Sequence, residues 1–200
     1  MYNFRKTKKN NKENNQGFTL VESLVAISIF TLALVGMMVS LGEGLADTGY
    51  AKEKLIAEYL AQENIEYIRN MRDTYLLYSA SPSAGWTSFL TKVSPCTSTD
   101  RSKSCYFDDQ GLDFGSSAVM PMTNLTLTAC SGACPYLKYN NTTGKYGYDA
   151  SGVLTGLKRW FIITQTPGDE TMRVYSFVSW PQNSATHTVT FSEDLRSWGE

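Results

Sequence analysis

Glu22 is the residue whose position demands a chemical explanation. It lies in the stretch Phe18–Leu41, which holds 24 residues and no other charge. As an α-helix such a stretch would span about 36 Å, enough to cross a hydrocarbon core of about 30 Å. A carboxylate inside a membrane span costs about 2.5–3.5 kcal/mol on insertion scales, so it calls for a partner or a function. The stretch contains no basic residue that could pair with it. A chain cut between Gly17 and Phe18 would carry a new α-amino group just ahead of the span. An ammonium on one subunit could then neutralise Glu22 on another.

Other residues could do chemistry, and each has a plainer use. His187 is the only histidine, and Ser192 and Asp194 follow it closely. No G-x-S-x-G elbow, P-loop, dinucleotide fingerprint or H-E-x-x-H motif accompanies them, so the reading is a surface strand residue and no enzyme. Asp108, Asp109 and Asp113 surround Gly111 and could cradle calcium. They lack the order and closing Glu of an EF-hand, and a solvated acidic turn is the favoured reading. Asn124, Asn140 and Asn141 begin N-x-[ST] triplets, which a Thr-rich region produces by chance.

The elements that would position these residues follow from charge and periodicity. The chain has 200 residues, 42% hydrophobic and 18% charged, too apolar for a disordered protein. Residues 1–17 hold Arg5, Lys6, Lys8, Lys9 and Lys12 against Glu13, a net of +4. With a total of −1, the rest of the chain carries −5. The basic end would stay on the cytoplasmic side of the membrane and the acidic body outside the cell membrane, and that body argues against a nucleic-acid partner. A basic patch of Lys138, Lys145, Lys158 and Arg159 is the one local exception.

Three readings of the apolar run compete. One is a plain anchor. Another is a secretory signal peptide cut after Ala46, at Gly44-Leu45-Ala46, releasing a soluble binding domain. Its hydrophobic region would be far longer than the usual 7–15 residues or so. The third is suggested by the succession Gly17-Phe18-Thr19-Leu20-Val21-Glu22-Ser23-Leu24-Val25-Ala26 behind a basic leader. It resembles the cleavage and methylation signature of type IV pilins and type II secretion pseudopilins. The resemblance implies cleavage after Gly17 by a prepilin peptidase, N-methylation of Phe18, and docking through Glu22. It also implies other pilin subunits, an inner-membrane assembly platform and membrane lipid as partners, with no cofactor. The segments 60–73, 157–160 and 177–180, with 195–198, resemble minor pilins and pseudopilins less specifically.

Beyond the run, Leu55, Ile56, Tyr59, Leu60, Ile65, Ile68, Met71 and Tyr75 recur at helical steps, and no Pro occurs between residues 18 and 81. This predicts one helix from Phe18 to Tyr78, with Arg69 and Asp73 as an i,i+4 pair. Pro82 stands just past its end. Gly36, Gly42, Gly44 and Gly49 are its weak points.

Residues 79–156 are rich in turn residues, and Tyr136–Tyr148 suggests short strands. Cys96 and Cys105, and Cys130 and Cys134, are spaced for two local disulfides in an extracytoplasmic domain. Crossed pairings and a poorly spaced four-thiolate zinc site are the alternatives. Lys158–Thr166, Met172–Trp180 and Thr186–Phe191 read as three antiparallel strands. On the second, Val174, Ser176, Val178 and Trp180 share a face that the long helix must cover.

The fold expected is α+β, a long N-terminal helix packed on a C-terminal antiparallel sheet. Its parts are a leader (1–17), a transmembrane helix (18–42), an amphipathic stalk (43–78), a loop-rich region (79–156) and a three-stranded sheet (157–200).

Overall fold

The structure is a computed structural model that describes residues 17–109, 112, 121–165 and 170–197. Helix α1 runs from Leu20 to Tyr78, 59 residues. The chain divides into two compact units, Met1–Thr48 and Gly49–Glu200, and α1 contributes to both. In the first unit α1 is exposed on every side, with Leu34 the least exposed large apolar residue at 41% and Leu20 the most at 81%. Its length and composition suit a membrane crossing. No atom among the described residues would meet a Cβ placed at Gly36, Gly42 or Gly44.

The second unit packs the rest of α1 against one sheet of eight strands. These are β1 (Thr97–Ser98), β2 (Cys105–Phe107), β3 (Leu127–Ala129), β4 (Tyr136–Asn140), β5 (Lys145–Gly147), β6 (Val153–Gln165), β7 (Thr171–Gln182) and β8 (Ala185–Arg196). Strand β6 is the hub. Antiparallel β7 lines one edge and is followed by β8; β4, β2 and the parallel β1 tile the other edge in turn. Between the pairs Tyr136–Lys158 and Lys138–Leu154 the register shifts. Gly156, at φ 78°, absorbs the extra residues of β6, because a side chain there would be strained. Asn183, at φ 55°, turns β7 into β8 in a conformation Asn tolerates.

The expected long helix on an antiparallel sheet is present, and it has two additions. Residues Pro82–Val93 form a second helix, α2. Pro82 does not only follow α1; it starts α2, where a proline loses no needed N–H, and the Ser81 hydroxyl caps the Ala84 amide at 3.3 Å. A Cβ on Gly85 would lie 2.6 Å from the Tyr75 carbonyl oxygen, so only glycine permits this approach of α2 to the end of α1. The three C-terminal strands are also longer than their apolar patterns; β4 and β5 fall in Tyr136–Tyr148, where short strands are expected, and β1 to β3 are additions.

The core has two lobes. In one, Ile68 and Met71 of α1 meet Trp86, Phe89 and Val93 of α2 over Phe107, Phe161, Ile163 and Val174. In the other, Ala57, Leu60 and Ala61 meet Leu137, Leu157, Val178 and Trp180. The inward face of β7 is the one its alternation indicated.

Polar groups pin the helix in register. Asn64 is buried and donates at 3.1 Å to both the Trp160 carbonyl and the Ser176 hydroxyl. Arg159 points inward beside Phe161 and donates to Glu63 at 2.8 Å, and its guanidinium lies over the Phe107 ring. Its second amino group faces Asp109 at 3.7 Å, and the Tyr67 hydroxyl donates to the other Asp109 oxygen at 2.7 Å. Burial raises the Glu63 carboxyl above its usual value even though Arg159 pulls it down. Burial, then the hydrogen bond to Asp109, raises Tyr67, and burial pushes Tyr148 up to about 12. Arg69 does not pair with Asp73 as its spacing suggested. It reaches Glu66 at 2.6 Å and Glu193 on β8, while Asp73 is bonded by Arg72.

Two outcomes follow for the full chain in detergent. Asn64→Ala, which leaves a carbonyl and a hydroxyl unpaired inside, should cost about 1–3 kcal/mol in chemical denaturation. Because Glu63 binds its proton more tightly folded than unfolded, lowering the pH from 7 towards 4.5 adds stability through this group. The melting temperature of the wild type relative to Glu63→Gln should therefore rise over that interval. A difference that falls on acidification would show that ion pairing, not burial, governs Glu63.

Candidate functional site

The start of α1 brings the candidate processing and docking residues together. Gly17, Phe18 and Thr19 precede the helix, and Glu22 stands in its first turn. The Glu22 amide donates to the Thr19 hydroxyl at 3.2 Å, and the Ser23 amide donates to the Thr19 carbonyl at 3.1 Å. Thr19 is thus the N-cap, and Thr19-Leu20-Val21-Glu22 has the spacing of a capping box. Sequence reasoning singled out Glu22 and passed over Thr19, although the T-x-x-E pattern announced it. Capping fixes where the helix begins, and so fixes the offset of one helical turn between Phe18 and the carboxylate.

This end of the helix is electrostatically lopsided. The first-turn amides carry a partial positive charge, and Glu22 stands among them. No basic residue occurs anywhere from Gly17 to Ala51. Phe18 is 81% exposed, and Leu20, Val21, Leu24 and Val25 beside it are exposed as well. The arrangement offers an apolar rod with one anionic point near its tip. A cation placed at that point by another molecule would meet both the carboxylate and an apolar surround.

The remaining candidates are dispersed. Cys96 is bonded to Cys105 and Cys130 to Cys134, with Cα atoms 5.7 and 4.9 Å apart, so no thiolate remains for zinc. Asp109 is buried against Tyr67 and Arg159, Asp108 is exposed, and Asp113 lies outside the described residues. Among the described residues no three His, Cys, Asp or Glu side chains converge on a metal position. The calcium reading thus loses Asp109, whose oxygens already face a guanidinium and a hydroxyl.

His187 is opposite Trp180 across β7 and β8, and its ring lies 5.5 Å from Trp180 and 5.1 Å from Tyr50. Ser192 and Asp194 fall on the other face of the sheet by register, so they cannot complete a triad with it. Arg159 leaves the proposed basic patch, since it is 1% exposed and paired with Glu63. The clue missed there was its inward register: a charge between Leu157 and Phe161 on a core face needs a partner. Lys158, one step away, points outward over the Tyr136 ring.

No curated protein and no solved structure matches the chain significantly. Residues 12–38 match the family model of the prokaryotic N-terminal methylation motif, the signature of type IV pilins and pseudopilins.

Proposed function

We propose that the chain is a structural subunit of a type IV pilus or type II secretion-like filament. In this reading it is made as a membrane-anchored precursor, cut after Gly17 and methylated on Phe18. The observation that carries the proposal is the bare apolar first half of α1, with Glu22 one turn from Phe18 inside a matched methylation motif. Such a surface is stable only in lipid or against other helices.

The two environments correspond to two stages. In lipid, Glu22 is an isolated carboxylate near one end of the span. Insertion into a growing filament exchanges lipid for neighbouring helices, and the methylated ammonium of an adjacent subunit comes to Glu22. An ammonium and a carboxylate that meet in an apolar core interact far more strongly than in water. Because each subunit carries both groups at opposite sides of one turn, the contact is heterologous and does not close, which generates a helix of subunits. Cleavage supplies the ammonium, so processing precedes assembly. The prepilin peptidase and an inner-membrane platform are the partners this sequence of events needs, with the basic leader inside and the sheet domain outside.

The well-built outer domain, with its second helix and eight-stranded sheet, favours a low-copy subunit that primes or tips the filament. Release after Ala46 finds less support, because Gly44–Ala46 are helical within α1, where a peptidase needs an extended backbone.

Two measurements test the reading. Intact mass and N-terminal sequence of the protein from its native cell envelope should give a chain that starts at Phe18 with one added methyl group. A start at Asp47 would remove Glu22 from the mature protein and overturn the proposal. In cells, Glu22→Ala should reduce incorporation into sheared filaments by tenfold or more, with unchanged membrane levels of the processed subunit; each tenfold step corresponds to about 1.4 kcal/mol. Normal incorporation of that variant would sink the docking role of Glu22.

A further inference from the structure

On the face of the sheet turned away from α1, a cleft of about 420 Å³ opens at the end of β6 and β7, lined by Thr99, Arg101, Thr164, Gln165, Thr171, Arg173 and Tyr175. Its volume lies within the range of about 300–1,000 Å³ typical of small-ligand sites. Arg101 is held there at a backbone cost. Its φ is 61°, one of two positive values among the described non-glycine residues, and a left-handed arginine stores strain of about 1–3 kcal/mol. The guanidinium lies over the Tyr175 ring, 4.1 Å from its centroid, and donates to the Tyr175 hydroxyl at 2.5 Å. Asp100, its neighbour in sequence, is engaged elsewhere, since its carboxylate accepts from the Ser102 amide at 3.1 Å. Among the described residues no carboxylate lies within ion-pair range of Arg101, whereas Arg173 is bonded twice to Asp194.

The cleft therefore presents one uncompensated, stacked cation with most of its five N–H donors unused. The surrounding wall carries the Thr99 and Thr164 hydroxyls, which can both donate and accept, and the Arg173 guanidinium, which is bonded to Asp194. A bare inorganic anion would use only the donors. A hydroxylated ring would use both kinds, and its carboxylate would fit the fork of the guanidinium. A polyanionic nucleic acid is disfavoured by the net charge of −5 that residues 18–200 carry.

We propose that this cleft binds a small acidic sugar, with Arg101 as the residue that reads its carboxylate. The inference stands whether or not the chain enters a filament, and it adds a recognition site to the outer domain.

The test uses the full chain in detergent with its disulfides intact. Glucuronate and N-acetylneuraminate are the acidic probes, glucose and N-acetylglucosamine their neutral counterparts, and inorganic phosphate the simple anion, all followed by ligand-observed NMR and calorimetry. At least one acidic sugar should bind ~10-fold or more tightly than its neutral counterpart and than phosphate. Arg101→Gly should abolish that preference while the melting temperature stays equal or rises, because glycine relieves the positive φ. Tyr175→Phe should weaken binding less than Arg101→Gly does. Binding of phosphate as tight as that of the sugars would reduce the cleft to a general anion site and overturn the proposal. So would no binding of either acid at 50 mM (roughly 2 kcal/mol of affinity), or a preference that survives Arg101→Gly.

Discussion

A carboxylate set inside an apolar run that holds no basic residue is the constraint around which this protein is arranged. Glu22 sits one turn into a helix whose surroundings, from Gly17 to Ala51, contain no basic side chain. Every apolar residue beside it is bare. The bare apolar surface is costly in water, and the unpaired carboxylate is costly in lipid. In the proposed filament the carboxylate would meet the N-terminal ammonium of another copy, which answers both costs at once. Thr19 matters to this argument as much as Glu22 does. By capping the helix it fixes where the first turn begins, and with it the path of Phe18 relative to Glu22.

Helix α1 serves two incompatible surroundings, and its sequence changes with them. In the first half the apolar residues lie all round, as a lipid- or helix-facing segment requires. In the second they withdraw to a stripe through Ala57, Leu60, Ala61, Ile65, Ile68 and Met71, and charge occupies the rest. Alanines at 57 and 61 let the helix come close to Leu137 and Val178, and larger residues at 65–71 fill the wider lobe over β6. Burying charge is costly, yet Arg159 is placed at the centre of this contact with Glu63 on the helix and Asp109 on the loop side. Its net stabilisation is small by the usual balance of desolvation and attraction. Its value is directional: a helix shifted by one turn would strand the guanidinium without Glu63. Asn64, one residue on, enforces the same register with neutral groups.

Much of this was legible in the sequence because long-period features leave long-period traces. The apolar run, its single carboxylate, the absence of proline to residue 81 and the alternation in β7 each fix an element without any tertiary information. What escaped was set by contacts. Helix α2 has twelve residues and begins with the proline that stops α1, so one residue type had two opposite readings. Strands β1 to β3 have two or three residues each, too few for any alternation to register; β1 and β2 form on the edge that β6 offers, and β3 on the edge of β2. Arg69 prefers Glu193, 124 residues away, over Asp73 one turn away, a choice no local rule contains. At the candidate site the motif was readable and its cap was overlooked. In the outer domain Arg101 gave no warning, because a positive φ at an arginine has no sequence signature.

The two faces of the sheet have separate tasks, and β6 and β7 alternate between them residue by residue. Arg159, Phe161 and Ile163 bind the helix; Trp160 and Thr164 face outward, and the rings of Trp160 and Phe177 stack across the strands with 7° between their planes. Such a stacked pair stiffens the outward surface without help from a second layer. The Cys96–Cys105 bond acts on the same region from the other side. It ties the segment after α2 to β2, and β1 follows Cys96 directly, so the turn that carries Arg101 is closed within a loop of eight residues. A short covalent loop limits the conformations available to that turn, which is how a strained arginine can be held over Tyr175 on the surface of the domain. Cys96 and Cys105 are themselves fully buried in the core lobe with Trp86, Phe89 and Phe107, so both ends of that loop are anchored in packed surroundings while the turn between them stays at the surface.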